Sequence, residues 1–362
     1  MTVPMSVAAK IRVQETMTGQ FRASVGVNSD SGLVANFLYK EDNFNWRRPP
    51  RNPFRLEDWR NAFRGAGERF KIDASPGTKY QRYEVAWEDP NFRNTDWSFG
   101  LSGFYYTRYY SEWRENRVGG TVSLGYLLTP DLSLNTYYKG ESVRIYDPVT
   151  TSIADLNKAL GTSGLHTFGV RLAHDTRDNQ HLATEGHLFS VSAEQIIGDY
   201  QYPRLSADLR QYFMLHERPD SSGRWVLGFR SAAGWTDVDT PIFERYYAGG
   251  FTTLRGFDFR GVSPRDTWMA VGGNFEFYNS AELLFPITAD DMIRGVVFVD
   301  TGCVQSRINE WEQKYRVAPG FGVRITVPFM GPAPIAFDFA FPISKDPSDV
   351  TNIFSFYVGF MR

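Results

Sequence analysis

The sequence predicts an all-β protein, a 16-stranded antiparallel transmembrane β-barrel, and three observations predict it. Sixteen runs along the chain alternate apolar and polar residues, and alternating side chains give a strand one greasy and one wet face. Many of these runs reach the about 9–11 residues a strand needs to cross a bilayer, with Tyr and Trp gathered near their ends as in an interfacial girdle. The connections between runs tend to alternate between short and long, and the even strand number suits a closed bacterial barrel. Alternation alone leaves a soluble sandwich open, because a sandwich buries the same apolar face that a barrel turns to lipid.

The first run, 20–27, places Phe21, Ala23, Val25 and Val27 on one face and Gln20, Arg22, Ser24 and Gly26 on the other. Asn28-Ser29-Asp30-Ser31-Gly32 has the chemistry of a tight turn, and run 33–40 returns with Leu33, Ala35, Phe37 and Tyr39 on one face. A long connection, 42–68, follows; residues 55–63 within it read as a short helix. It carries Arg47, Arg48, Arg51, Arg55, Arg60 and Arg64, with Arg69 one residue past its end. That basic stretch reads either as a solvated decoration or as a docking element for a periplasmic partner. A weaker run, 69–75, comes next, then clear ones at 80–88, 97–109, 117–128, 132–146, 165–174, 186–195 and 202–215. In the last of these Arg204, Ser206, Asp208 and Arg210 oppose Leu205, Ala207 and Leu209. Runs 224–235, 274–285, 293–300, 315–327, 335–341 and 351–360 complete the set. Short connections at 129–131, 286–292 and 329–334 belong on the periplasmic side; longer ones at 147–164, 236–273 and 302–314 belong outside. The turn at 28–32 and the connection 42–68 break that rule.

Composition excludes several classes. The chain has 362 residues, 16% of them aromatic, with a mean hydropathy of −0.37, and no stretch approaches the about 20 apolar residues of a membrane helix. A hydropathy scan is blind to barrels, whose alternating strands average to neutral. Thirty-nine basic against 41 acidic residues give a net charge of −2, without the clustered basic excess of a nucleic-acid binder. Cys303 is the only cysteine, so one chain can form neither an intramolecular disulfide nor a thiolate metal cluster. Residues 1–13 lack the basic start and apolar core of a secretory signal; since an outer-membrane barrel needs one, the sequence reads as a fragment or as lacking an upstream part. Asp175-Thr176-Arg177-Asp178 carries two carboxylates three residues apart but lacks the rest of a calcium loop, and reads as a polar turn. His166 and His174 fall on the apolar parity while His181 and His187 lie near a turn, so they are not read as a shared metal site. No nucleophile–base order, phosphate loop or paired-carboxylate cleft stands out; neither an enzyme, a cofactor nor a metal is expected.

The segment 243–264, FERYYAGGFTTLRGFDFRGVSP, lies between runs 224–235 and 274–285. A long Gly-rich loop carrying Leu254-Arg255-Gly256-Phe257 between membrane-type strands resembles the inward-folding loop of BamA-type barrels, of the bacterial surface antigen superfamily, which assemble outer-membrane proteins. Other segments resemble the same family. Val13-Gln14-Glu15 with Thr18-Gly19-Gln20-Phe21 is similar to the join between the last periplasmic POTRA domain and the first strand. Residues 25–33 resemble its first hairpin, Asp175-Thr176-Arg177-Asp178 with Gly186 its mid-barrel turn, and Phe298-Val299-Asp300-Thr301-Gly302 its thirteenth strand. The resemblance runs from about residue 13 to the C-terminus. It implies residues 1–15 as the remnant of a POTRA strand or linker and 16–362 as the barrel, with the loop folded into the lumen.

The resemblance further implies that Arg255 reaches into the lumen and pairs with carboxylates, Glu282 and Asp300 by position. Parity agrees: in 274–285 the lumen-facing set is Asn274, Glu276, Tyr278, Ser280 and Glu282, and in 293–300 it includes Arg294 and Asp300. Arginine suits the task because its planar fork binds carboxylates and keeps its proton. Gly256 permits a close or left-handed backbone, and Phe257 is positioned to wedge against the barrel wall. The expected function is to help other barrel proteins fold and insert. The expected working part is a seam between 20–27 and 351–360, with Phe21, Ser24, Gly26, Phe356, Gly359 and Phe360 as its marked residues. A weak seam lets an incoming strand pair with an exposed edge. A cross-link from Ser24 to a lumen-facing partner such as Ser355, if register allows, would test it. The expected partners are outer-membrane lipids, unfolded β-barrel clients, and periplasmic chaperones or lipoproteins, with no nucleic acid. Two alternatives stay open: a polypeptide-translocating barrel of the same superfamily, and a passive porin, which the plugging loop disfavours. The chain departs from the usual terminal aromatic, since Met361 and Arg362 follow Phe360.

Overall fold

A computed structural model describes residues 18–52, 54–59, 62–180, 182–220, 222–309, 314–326 and 334–358. Sixteen strands follow one another around a closed antiparallel barrel: β1 Gly19–Asn28, β2 Gly32–Phe44, β3 Glu68–Ser75, β4 Tyr80–Asp89, β5 Trp97–Tyr109, β6 Arg114–Leu127, β7 Leu132–Tyr146, β8 Gly161–Asp175, β9 Gly186–Gly198, β10 Tyr202–His216, β11 Trp225–Thr236, β12 Phe275–Pro286, β13 Ile293–Gln305, β14 Arg316–Thr326, β15 Pro334–Ala340 and β16 Phe354–Val358. The proposed segment 1–15, His181, Arg60, and Gly359 and Phe360 of the closing strand lie outside the described residues.

The faces of the strands decide between sandwich and membrane barrel. On β1, Phe21 is 71% exposed; on β10, Leu205, Leu209, Phe213 and Leu215 are all exposed, and Phe339, Phe341 and Phe354 are too. Their neighbours of opposite parity, Asp338 and Ser355, are buried. Charge sits inside and hydrocarbon outside, which is stable only when the outside is lipid. No helix among the described residues is long and apolar enough to cross a membrane; the strands cross instead, pairing their backbone groups with neighbours around the wall.

Several expectations need adjustment. The 55–63 helix is one turn, Leu56–Trp59. Strand β8 starts four residues before 165 and β13 runs five past 300, because register with their neighbours continues beyond the alternating stretch. The alternation of short and long connections holds only in part: beside 29–31, the connections 76–79, 110–113 and 199–201 are also short at the rim opposite the start of β1. That rim, the loop rim, is filled from within by the long connection after β11, and Trp113 of one tight hairpin packs in a single buried cluster with Ile242, Phe243 and Met269 of that connection. The run 351–360 is divided. Thr351–Asn352 leaves the barrel wall to pair with Gly256–Phe257 of the lumen loop, and only Phe354–Val358 joins the barrel.

Candidate functional site: the lumen loop and the seam

The loop 237–274 leaves β11 and returns at β12 through the inside of the barrel. Backbone bonds fix its path: Tyr246 pairs with Gly273, Ala248 with Val262, and Asp258 N donates to Val350 O at 2.9 Å. At its turning point Gly256 takes φ +91°, where a Cβ would lie 3.1 Å from the Pro342 ring and 3.3 Å from Ala318 Cβ. Both the left-handed backbone and the close approach exclude a side chain there. Phe257 is buried among Ala232, Ala248, Leu254, Val262, Tyr278, Val304 and Ala318, a burial that stabilises the inward fold by about 1.5–3 kcal/mol.

Arg255 is buried beside this turn. Its Nε and Nη2 donate to Asp300 Oδ2 and Oδ1 at 2.7 and 2.8 Å, and its backbone N–H donates to the same carboxylate at 3.1 Å. Ser280, opposite Asp300 in the β12–β13 register, accepts from Arg255 Nη2 at 3.2 Å and donates to Asp300 at 2.6 Å. Nη1 lies 2.5 Å from Glu282 Oε1 and 3.6 Å from Asp338 Oδ2. Asp338 is held by Arg324 at 2.6 and 3.0 Å. The guanidinium plane lies 3.4 Å from the Phe298 ring centroid. Three carboxylates thus face two guanidiniums inside one wall of the barrel, a fork–fork geometry in which each ion is hydrogen-bonded. The structure brings Arg255, Gly256, Phe257, Asp300 and Glu282 together, but not with equal weight: Asp300 is sealed, whereas the Glu282 side chain keeps 39% exposure toward the lumen.

Sequence reasoning missed three things here. Asp338 and Arg324 share the lumen parity and were legible as such, but nothing marked them as partners of the loop. Glu244, two residues past Ile242, joins Arg117 of β6 and Arg204 of β10, each at 2.5 Å. Arg260 is buried in an aromatic cage, 4.4 Å from Tyr110, 4.6 Å from Trp113 and 3.5 Å from Tyr247, with Glu112 at 3.7 Å. These contacts join residues from 13 to 150 positions apart, so no local pattern announces them.

The seam differs from every other pair of barrel strands. Among the described residues, strands β1 and β16 share two register pairs, Val27↔Val358 and Asn28↔Tyr357, plus Ser29 N–H to Phe356 O at 3.2 Å. By contrast β1 and β2 share ten pairs, and β15 and β16 five. Phe21 faces outward; Ser24 and Gly26 lie on the lumen parity of β1; Phe356 stacks on Phe354 at 5.8 Å on the outer wall. This register places Ser355 level with the β1–β2 turn rather than with Ser24, so that cross-link is ruled out: alternation fixes the face of each serine and leaves the register open. The lumen loop reaches the same place. Phe251 stacks on Tyr357 at 5.6 Å, and Gly250 lies so close to Asp30 of the β1–β2 turn that a Cβ would meet its Oδ2 at 2.3 Å. Burial pushes the Asp30 carboxyl above its ordinary range, opposed in part by the Ser29 hydroxyl.

Among the described residues no group of three or more His, Cys, Asp or Glu side chains converges as a metal site. His174 and His187 meet at 2.8 Å, while His166 sits apart against Tyr138.

Residues 62–361 match the family model of the Omp85 superfamily domain. The chain is 24% identical over 308 residues to the outer membrane protein assembly factor BamA of Nitratidesulfovibrio vulgaris, covering 83% of this chain and 38% of that protein. It is 24% identical over 409 residues to the outer membrane protein assembly factor BamA of Neisseria meningitidis serogroup B, covering 98% of this chain and 48% of that one. The chain therefore spans less than half the length of these relatives. Among solved structures it resembles BamA from Haemophilus ducreyi lacking POTRA domains 1–3, with a TM-score of 0.75, 21% identity, and coverage of 95% of this chain and 70% of that one. It also resembles CdiB from Acinetobacter baumannii, with a TM-score of 0.60, 16% identity, and coverage of 95% and 60%. These structural likenesses concern the fold.

Proposed function

The chain belongs to the Omp85 superfamily, and on that premise we propose that this outer-membrane barrel assists the folding and insertion of other β-barrel proteins through the seam between β1 and β16. The observation that carries the reading is the ladder of two pairs among the described residues of that seam, within a wall otherwise laced by longer ladders. Each ladder bond contributes on the order of 1 kcal/mol, so the seam is the least costly place to part the wall. Parting it exposes the edge of β1, whose unpaired N–H and C=O groups template an incoming strand by β-augmentation. In this reading the lumen loop is the internal brace. Arg255 and Phe257 hold it to β12–β15, and Phe251 and Gly250 bring it to both strands of the seam. The clients are unfolded outer-membrane barrel chains, and periplasmic chaperones or lipoproteins would deliver them. The chemistry requires only strand exchange and burial, with no reacting group.

The loop also speaks against the two alternatives. A porin or a conduit for a polypeptide needs an open lumen, and here the loop packs against residues of the wall in buried clusters. The test is reconstitution of the barrel in liposomes with a urea-unfolded barrel client, scored by protease protection and heat-modifiable mobility of the client. Acceleration over empty liposomes supports the reading; an unchanged client rate together with large steady channel conductance would replace it with a porin.

A further inference from the structure

We infer that the connection 45–67 between β2 and β3 is a headgroup-binding collar, a surface that lies on the outer wall beneath the seam strands and takes anionic phospholipid headgroups of the leaflet at that rim. This rests on the outer-membrane reading of the barrel but not on its assembly activity.

The location follows from register. Phe21 pairs with Tyr39 and faces lipid, so Gly19 and Glu41, which pair two residues further along, face outward as well. At about 3.3 Å per residue Glu41 stands roughly 7 Å beyond the Phe21 level, where hydrocarbon gives way to headgroups. On β3, Ile72 is exposed on the outer face, and Phe70 and Glu68 share its parity. Two carboxylates, Glu41 and Glu68, therefore point out of the barrel at this rim, yet both are buried. Trp87 Nε1 donates to Glu68 at 2.8 Å. Glu41 is covered by the connection itself: Arg64 Nε reaches it at 3.0 Å, Asn45 N–H donates to Phe63 O and Phe63 N–H to Arg48 O at 2.7 Å each, and Phe63 stacks on Phe44 at 5.7 Å. The connection is thus folded against the outside of the barrel, not hung below its opening.

What it presents outward is cationic and aromatic. Six arginines against Glu57 and Asp58 make the segment +4 (6 − 2), in a chain of net charge −2. Arg47, Arg48, Arg51 and Arg55 are exposed, beside Phe54 at 95%, Trp46 at 56% and Trp59 at 49% exposure. Arg47 lies 5.2 Å from the Trp46 ring. Exposed aromatics among guanidiniums suit the bilayer interface, where the rings enter the acyl boundary and the cations pair with phosphodiesters. In water the same rings would be a liability. A protein partner would also cover such a surface, but the placement on the lipid-facing wall at headgroup height favours lipid.

The experiment uses the whole chain in nanodiscs of phosphatidylcholine with and without phosphatidylglycerol. A fluorophore is placed by F54C in a C303A background, since Cys303 is buried. Brominated lipids should quench it, more strongly when phosphatidylglycerol is present, and iodide should not. Phosphatidylglycerol should co-purify with the barrel, and R47E, R48E and R51E should each lower that enrichment by up to about fivefold, whereas K345E at the opposite rim should leave it unchanged. A fluorophore quenched by iodide and indifferent to lipid composition overturns the inference. Protection from both quenchers on addition of a soluble periplasmic fraction also overturns it, in favour of a protein partner.

Discussion

Arg255 grips Asp300 through three nitrogens at once, with Nε and Nη2 at 2.7 and 2.8 Å and the backbone N–H at 3.1 Å. The backbone bond matters as much as the fork. It ties the carboxylate to the main chain just before Gly256, so that the ion pair fixes the loop's turning point and not merely a side chain. Arg255→Ala leaves Asp300 buried and without its fork, a loss on the order of 3–5 kcal/mol. The Glu282 contact adds less, because that side chain keeps access to water. The expected outcome is a folded barrel with a loosened loop: new protease cleavage within 237–274, larger and noisier conductance, and reduced client folding. Arg255→Lys should behave nearly as badly, since a point charge cannot satisfy two oxygens in a plane. A lysine variant with wild-type loop protection would show that charge alone suffices.

Gly256→Ala tests the turning point separately. At φ +91° an L side chain is strained, and substitution at such a position costs more than about 1 kcal/mol. Loop cleavage should rise while the Arg255 cluster keeps its charges. An unstrained Gly256→Ala with unchanged cleavage would mean the loop path tolerates a side chain against Pro342 and Ala318.

Much of this was legible in the sequence, and the limit is physical. Alternation reports which face a residue takes: Asp300 and Glu282 share the lumen parity with Ser280, and Phe354 lies on the outer face. Alternation does not report who the partner is. Thr351 and Asn352 continue the alternating run into 354–358, yet their backbone pairs with the lumen loop rather than with the barrel wall. Ser24 and Ser355 share the lumen parity, yet the register parts them by several residues. Arg260, the Glu244 cluster and the collar-covered Glu41 depend on contacts set by barrel closure, and closure joins segments that sequence distance separates.

Asp30 makes the brace at the seam respond to pH. Its carboxyl is pushed above the ordinary aspartate range by burial, against the Ser29 hydroxyl and the Phe251 backbone N–H, which favour the charged form, so the folded contact on balance prefers the protonated form. The stability it lends is therefore complete below the ordinary aspartate value of 3.8 and is lost as pH rises through the raised value. The loop should hold the β1–β2 turn more tightly on acidification. Asp30→Asn removes the charge, keeps the shape, and should make the contact tight and indifferent to pH. The measurement is the ratio of the rates at which a thiol reagent reacts with F251C with Asp30 intact and with Asp30→Asn, both in the C303A background, from acid to neutral pH, a ratio that cancels the thiol's own ionisation. If that ratio is flat with pH, the carboxyl does not govern the contact.

The seam yields the most direct prediction. In the register of the barrel, Asn28 and Tyr357 face each other on the lumen side, and Val27 and Val358 on the lipid side. Directly opposed residues of an antiparallel pair stand about 4.5–5.5 Å apart at Cα, within the range a disulfide spans. N28C with Y357C in the C303A background should therefore cross-link under mild oxidation without moving the backbone. With two register pairs to break among the described residues, the seam opens at small cost in the reduced protein; with a covalent bond across it, the wall cannot part at the loop rim. Client folding should fall to the rate of empty liposomes when oxidised and recover on reduction, while the barrel's own heat-modifiable mobility stays unchanged. The loss of Tyr357 also removes its stack on Phe251, so the reduced double variant, not the unmodified chain, is the reference. A matched cross-link at Gln20 and Lys40, opposed across the ten-pair β1–β2 ladder, should leave the rate untouched. Should the oxidised seam variant insert clients as fast as its reduced form, sideways opening between these two strands is not how the barrel works.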